Sequence, residues 1–406
     1  MRLLRSPIPL VAAALTSIAA CEPDPITETE TLPYEGEAYP DRVAPVAYPP
    51  GPVGFVTDSL SDTVSVIDLS SGALIDRRPV GRNPVDLDGP HHIAIDQDLT
   101  YGYVALSYPL TTATGPHALH GSAVVPGYIQ KLRLSDLSVV GQVRVEASPG
   151  DIALSADGKR IVVTHFDLVR ATKNPTDLAK ARATIAVASP DEIEPIGSPS
   201  PHLLSTCVAP HGMAMTQPTG SPLYVTCYGE DKIAVVDLDT DAIEYVDVGP
   251  GVVGFGSPTY GPYAALLLEG ETTLVVSSTV SKDVRFIDTT TLTVDTARTV
   301  TTLGAPYFPA VSTDGTKLVI PTQQPDALVV VDLTGVEETE TRTFLDDECV
   351  LPHAVQRLDS GYAVVCEGDK KSPGRVVIVG DDLETVSTTE VGVYPDSIVR
   401  ATGVMP

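Results

Sequence analysis

A four-strand module opened by a proline recurs around this chain, and that recurrence constrains its fold more than any other feature. The clearest copy starts at Pro210-His211-Gly212-Met213-Ala214-Met215 and continues through Leu223-Tyr224-Val225-Thr226-Cys227. It then runs through Ile233-Ala234-Val235-Val236-Asp237-Leu238 and Ile243-Glu244-Tyr245-Val246. Four short apolar or alternating runs separated by turn formers read as four antiparallel strands. The leading prolines are Pro90, Pro149, Pro210, Pro262, Pro306, Pro352 and Pro395, with Asp157-Gly158 and Asp314-Gly315 making tight first hairpins. Residues 52–80 supply three strands without a leading one, and Pro395-Asp396-Ser397-Ile398-Val399 supplies a leading strand with nothing after it. Joined, they make one composite blade that closes the ring and hides its edges. The expectation is an all-β, seven-bladed β-propeller of four-stranded antiparallel blades, closed by a blade shared between the N- and C-terminal segments.

Composition agrees: 36 Pro, 32 Gly and no Trp in 406 residues suit many short strands joined by tight turns. Tyr224-Val225-Thr226 followed by Val235-Val236-Asp237 resembles the YVTN-repeat β-propellers, and the resemblance runs from residue 52 to 402. Cys227 stands where that family's name has Asn. Members of such a family do many different things, so the resemblance implies a fold more than a function. Some related propellers are lactonases, and more distant ones hold haem or copper with histidines.

If the proline-led strand is innermost, two kinds of loop share one face: those leading into strand one and those joining strands two and three. The first residue after each proline would line the channel mouth: His91, Gly150, His211, Tyr263, Tyr307, His353 and Asp396, with His92, Asp151 and Phe308 one further on. Two long insertions fall on the same face. One spans roughly 107–128 with His117 and His120; the other spans roughly 166–183 with Arg170, Lys173, Lys180 and Arg182. His165, at the end of a second strand, also maps there, while His202 lies in a connecting segment. Imidazole with carboxylate suits a divalent transition metal. The same groups would also serve a small-ligand site, or simply tie neighbouring blades together. The spacing carries no His-Glu-x-x-His, no zinc-type Cys pairs and no Cys-x-x-Cys-His.

Four cysteines fall in two blades, each blade having one Cys three residues before its proline and one at the end of strand two. Antiparallel register sets Cys207 beside Cys227 and Cys349 beside Cys366, so two disulfides are expected. Cys207 and Cys349 also each precede a His by four residues, which keeps a thiolate–imidazole metal site as the rival reading.

The N-terminus has Arg2 and Arg5 before an apolar run, Ile8 to Ala20, that ends at Ile18-Ala19-Ala20-Cys21. This reads as a secretory signal over 1–20 rather than a spanning helix. It resembles a bacterial lipobox, with Cys21 as the lipidated residue and Glu22 after it leaning toward the outer membrane. Residues 21–50, rich in Pro, Glu and Thr, read as a tether with a reach on the order of 30 Å, leaving 51–406 as the propeller. The net charge of −27 argues against nucleic acid and against lying flat on anionic lipid. The sequence is therefore read as a monomeric, membrane-anchored exported propeller of the cell envelope, on the periplasmic side or cell surface. It would bind a small ligand or an envelope protein through its His-rich face, acting as a scaffold without a firmly assigned cofactor. The alternative is a lactonase-like or metal- or haem-binding enzyme that uses His91, His211, His353, Asp151 and Asp396.

Overall fold

A computed structural model of the chain describes residues 44–403 apart from 83–85, 114–118, 251–253, 336 and 346. The signal over 1–20, Cys21, most of the tether and His117 lie outside the described residues. Among the described residues, no helix is long and apolar enough to cross a membrane.

Seven antiparallel sheets form a seven-bladed propeller, each with its proline-led strand at one edge of the strand order. The composite blade pairs Pro395–Ala401 with Val53–Asp58, followed outward by Thr63–Asp68 and Leu74–Pro79. The core lies between blades rather than within them. Phe55, Val64 and Val66 of the composite blade pack against Val104, Leu106 and Leu132 of the next. Middle strands are thus covered on both faces, which is why they read as unbroken apolar runs. Leu223–Cys227 is buried throughout, whereas the outer strand Leu74–Pro79 is half open to solvent.

The chain swings into most inner strands through a left-handed residue immediately before the proline. Ser148, Ala209, Leu351 and Tyr394 have φ of 54°, 51°, 54° and 57°, and Gly89 and Gly261 do the same at 63° and 62°. Such a backbone is costly for a side-chain-bearing residue unless its surroundings impose it. At three of these entries, an aspartate in the preceding blade's loop between strands two and three holds the turn. Asp231 accepts from the N–H groups of Thr259, Tyr260 and Gly261 at 2.6, 2.9 and 2.8 Å. Asp62 takes those of Asp88 and Gly89, and Asp326 takes that of Leu351. These bonds place both kinds of loop on one face, as the strand order requires.

Two irregularities shape the site. The Pro306-led strand does not run straight as expected; it breaks into Ala305–Pro306 and Ala310–Val311. Pro309 lacks an N–H and cannot continue the ladder. Phe308 leaves its own sheet and bridges in parallel to Ala354 of the next blade. The insertion at 166–183 folds into two short helices, Leu168–Lys173 and Leu178–Ala181, capped by Asp167 and Asp177.

Both expected disulfides are present: Cys207–Cys227 and Cys349–Cys366, with Cα atoms 5.6 and 5.2 Å apart. The thiolate–imidazole reading of these cysteines is therefore excluded, because a disulfide sulfur is not a thiolate.

Candidate metal centre on the propeller axis

The post-proline histidines are fixed by a shared pattern. Each donates through Nδ1 to the carbonyl of the post-proline residue in the next blade. His91 Nδ1 lies 3.1 Å from Gly150 O and 3.2 Å from Pro149 O. His211 Nδ1 lies 3.3 Å from Tyr263 O, and His353 Nδ1 lies 2.8 Å from Asp396 O. A carbonyl only accepts, so Nδ1 carries the hydrogen, and Nε2 has a lone pair only where the ring is neutral. The strand-two threonines brace the same carbonyl row. Thr164 Oγ1 donates to His211 O at 2.6 Å, Thr226 Oγ1 is 3.1 Å from Tyr263 O, and Thr57 Oγ1 donates to His91 O.

Asp396, the post-proline residue of the composite blade, sits among these rings and is fully buried. Its Oδ2 is 2.7 Å from His91 Nε2 and 3.7 Å from His120 Nδ1, and its Oδ1 is 3.1 Å from His353 Nδ1. The contact with His91 lies at ion-pair distance but is not aligned as a hydrogen bond. Burial alone would raise the Asp396 pKa, but His91, His120 and His353 reverse this and hold it well below the usual carboxylate range. Burial pulls His353 down, yet Asp396 more than offsets that and brings it up to about 9. Burial, reinforced by the four surrounding histidines, pushes His211 well below 6.5.

His92, the next residue along the strand after His91, is oriented by Asp151. Its Nδ1 lies 2.8 Å from Asp151 Oδ1, and Asp151 is held in turn by the N–H groups of Ile152 and Met213, both at 2.9 Å. A carboxylate on one nitrogen that leaves the other free is the usual outer support of a metal-binding imidazole. Nε2 of both His92 and His211 is buried without a hydrogen-bond partner.

The first insertion supplies His120. Its ring lies tilted by 31° against His91 with centroids 4.2 Å apart, and its Nε2 meets the Tyr394 hydroxyl. Two ligand groups result, His91–His120–Asp396 and His92–His353–Asp396. Within each, one potential ligand atom per residue lies within 4.8 Å of the others. Aromatic rings enclose them. Tyr263 stacks on His211 at 3.8 Å, and Phe308 lies 4.9 Å from His92 and 5.3 Å from His353. Tyr307 stands 5.3 Å from His353.

Of the sequence candidates, His91, His92, His120, Asp151, His211, Tyr263, Tyr307, His353 and Asp396 therefore converge on the axis. Others go elsewhere. His165 is fully buried between strands, with Nδ1 2.8 Å from Thr184 O and Nε2 accepting from Glu146 N at 3.1 Å. Burial lowers its pKa to about 4. Arg170 pairs with Glu146 and Asp167 at 3.2 and 3.3 Å, and Lys173 lines a surface groove beside it. His202 pairs with Asp241 at the surface. Glu367 and Tyr394 were not among the candidates. Glu367 Oε1 is 3.9 Å from His353 Nε2, and burial raises its pKa to about 7. The signal for both was positional: Glu367 directly follows the strand-two cysteine, and Tyr394 directly precedes a blade proline.

No family model and no curated relative matches the chain. Solved structures do. The periplasmic gluconolactonase PpgL of Pseudomonas aeruginosa is 16% identical with a TM-score of 0.62, over 87% of this chain and 100% of that one. A protein from Bacteroides uniformis named as a 6-phosphogluconolactonase is 12% identical with a TM-score of 0.59, over 86% and 100%. The dihydro-heme d1 dehydrogenase NirN is 15% identical with a TM-score of 0.56, over 88% and 77%. At these identities the likeness shows the shared propeller fold.

Proposed function

We propose that this chain is an exported propeller enzyme with a divalent transition-metal centre on its axis, rather than a passive scaffold. One observation carries the reading. His91 Nε2, His353 Nδ1 and His120 Nδ1 converge on the buried Asp396 carboxylate at 2.7, 3.1 and 3.7 Å. Among the described residues, Nε2 of His91 and of His92 is buried without an aligned hydrogen bond, which is costly, and a cation ligated by imidazole and carboxylate would satisfy both. His91, His120, His353 and Asp396 are the ligand candidates, with His92 buttressed by Asp151. A bound metal would supply Lewis acidity or redox chemistry, while these residues would hold it rigidly and exclude water.

The test is elemental analysis of the untagged mature protein, isolated without chelators. A transition metal that is lost in a His91→Ala, His353→Ala double variant supports the reading. A metal-free protein whose melting temperature is unmoved by Zn(II), Cu(II), Mn(II) or Ni(II) sinks it. Two of the fold neighbours are named as lactonases, which makes hydrolysis of gluconolactone, with and without chelator, the first activity to assay. The signal-like start, the lipobox-like Cys21 and the disulfides support export and a lipid anchor.

A further inference from the structure

A cavity of about 550 Å³ opens on the same face beside the centre. Its walls come from residues at or just after the ends of the second strands of four consecutive blades, including Tyr228, Gln323 and Glu367. The loops leading into the inner strands, and Tyr307, complete it. This is the sector that neither long insertion covers. A cavity of this size suits a small organic ligand.

Its polar groups have a definite order. Glu367 lines the cavity and is almost completely buried, and its Oε1 has no hydrogen-bond partner. A buried carboxylate oxygen left in this state calls for a donor from whatever fills the space. Lys282 and Lys370 also line the cavity, and neither forms an ion pair with a carboxylate among the described residues. Lys282 Nζ reaches only a carbonyl, Gln324 O at 3.5 Å; in a chain with 53 acidic and 26 basic side chains, two lysines without a carboxylate in contact beside one cavity favour an anion. Lys370 Nζ also lies 4.6 Å from the Tyr394 ring centroid, and Tyr394 bonds His120, so the cavity wall touches the centre directly. The phenol of Tyr228 and the amide of Gln323, whose Nε2 donates to Pro352 O at 3.4 Å, also line the space.

We propose that this cavity binds a small hydroxy-carboxylate, with its carboxylate at Lys282 and Lys370 and a hydroxyl donating to Glu367. The inference deepens the metal-centre reading, and rests on it for what the ligand meets at the inner end, where Glu367 lies 3.9 Å from His353.

Gluconate, sorbitol and hexanoate separate the required features, because sorbitol lacks the carboxylate and hexanoate lacks the hydroxyls. Titration calorimetry on the full mature protein should show gluconate binding at least roughly tenfold more tightly than either control. A Lys282→Gln, Lys370→Gln variant should weaken gluconate by roughly tenfold while keeping its ligand-free melting temperature. Glu367→Gln should weaken gluconate and leave hexanoate unchanged. Equal binding of sorbitol, or gluconate affinity indifferent to the lysine pair, overturns the proposal. Metal content measured on the same samples separates the two readings. Metal-free protein that still selects gluconate keeps the cavity and loses the centre, whereas metal-loaded protein indifferent to gluconate does the reverse.

Discussion

Removing the two disulfides tests whether the blades are stapled where the register places them. Cys207 and Cys227 close a loop of 20 residues and Cys349 and Cys366 one of 17. In a chain-entropy description, loops of these lengths restrict the unfolded ensemble by about 3 kcal/mol each at 25 °C. The bridges lie in blades that do not touch, so the two effects should add to about 6 kcal/mol. A domain of this size unfolds with an entropy on the order of 0.8 kcal/mol per kelvin. Each bridge should therefore be worth about 4 °C in melting temperature, and both about 8 °C. The assay is calorimetry on Cys207→Ala/Cys227→Ala, on Cys349→Ala/Cys366→Ala and on the quadruple variant, under oxidising conditions. Wild-type protein with reductant should approach the quadruple variant. A quadruple variant within about 1 °C of wild type would refute the chain-entropy reasoning. Free thiols in denatured, unreduced protein would refute the pairing itself.

Other outcomes follow from named groups. Asp151→Asn keeps the shape of the His92 support but weakens its charge, so metal affinity measured by competition with a chelator should fall by roughly ten- to a hundredfold. His165 is pinned neutral, with its pKa lowered from 6.5 to about 4. The unfolded chain takes up that proton below about pH 6.5 and the native state does not, so its contribution is complete above pH 6.5 and is lost as pH falls toward about 4. The loss is about 3 kcal/mol. It should appear as the difference between wild type and His165→Gln in denaturant midpoints across pH 4–7, and parallel curves would remove this role. Thr226→Val removes a buried donor between Gly212 O and Tyr263 O, both at 3.1 Å, and should cost about 1–2 kcal/mol in urea unfolding. Cys21→Ser should release the protein from the membrane fraction and abolish labelling by a fatty-acid analogue.

The sequence made the fold legible because the proline, the second-strand apolar run and the closing aspartate keep one register through every blade. Cysteine pairing was legible for the same reason, since Pro210 faces Cys227 and Pro352 faces Cys366. Side-chain direction was harder. Thr164 and His165 are adjacent, yet Thr164 reaches the next blade's carbonyl while His165 turns toward Thr184 in its own blade. Successive strand residues point to opposite faces, so one step along the strand separates an inter-blade latch from an internal tie. The broken strand at Tyr307-Phe308-Pro309 had a local cause in Pro309, but the seating of Phe308 beneath the histidines depends on the neighbouring blade. Glu367 escaped notice because its environment comes from a cavity shared by several blades, which no single repeat reveals.

The asymmetry of the ring explains why one face concentrates the chemistry. Seven equal blades would present seven equal rims and no preferred site. Here the insertion from one blade folds inward and delivers His120 to the axis, against His91 and Asp396. The insertion from the next blade packs as two short helices, and Arg182 ties it outward to Glu230 at 2.9 Å. Together they cover one side of the mouth and leave the opposite side, beside His353, to the cavity that Glu367 lines. A buried imidazole–carboxylate cluster needs rigid walls to keep its lone pairs aimed, and a substrate needs a path to it. On the proposed reading, the inter-blade carbonyl row would supply the walls and the uncovered sector the path, so the departures from seven-fold symmetry are what would make such a site usable.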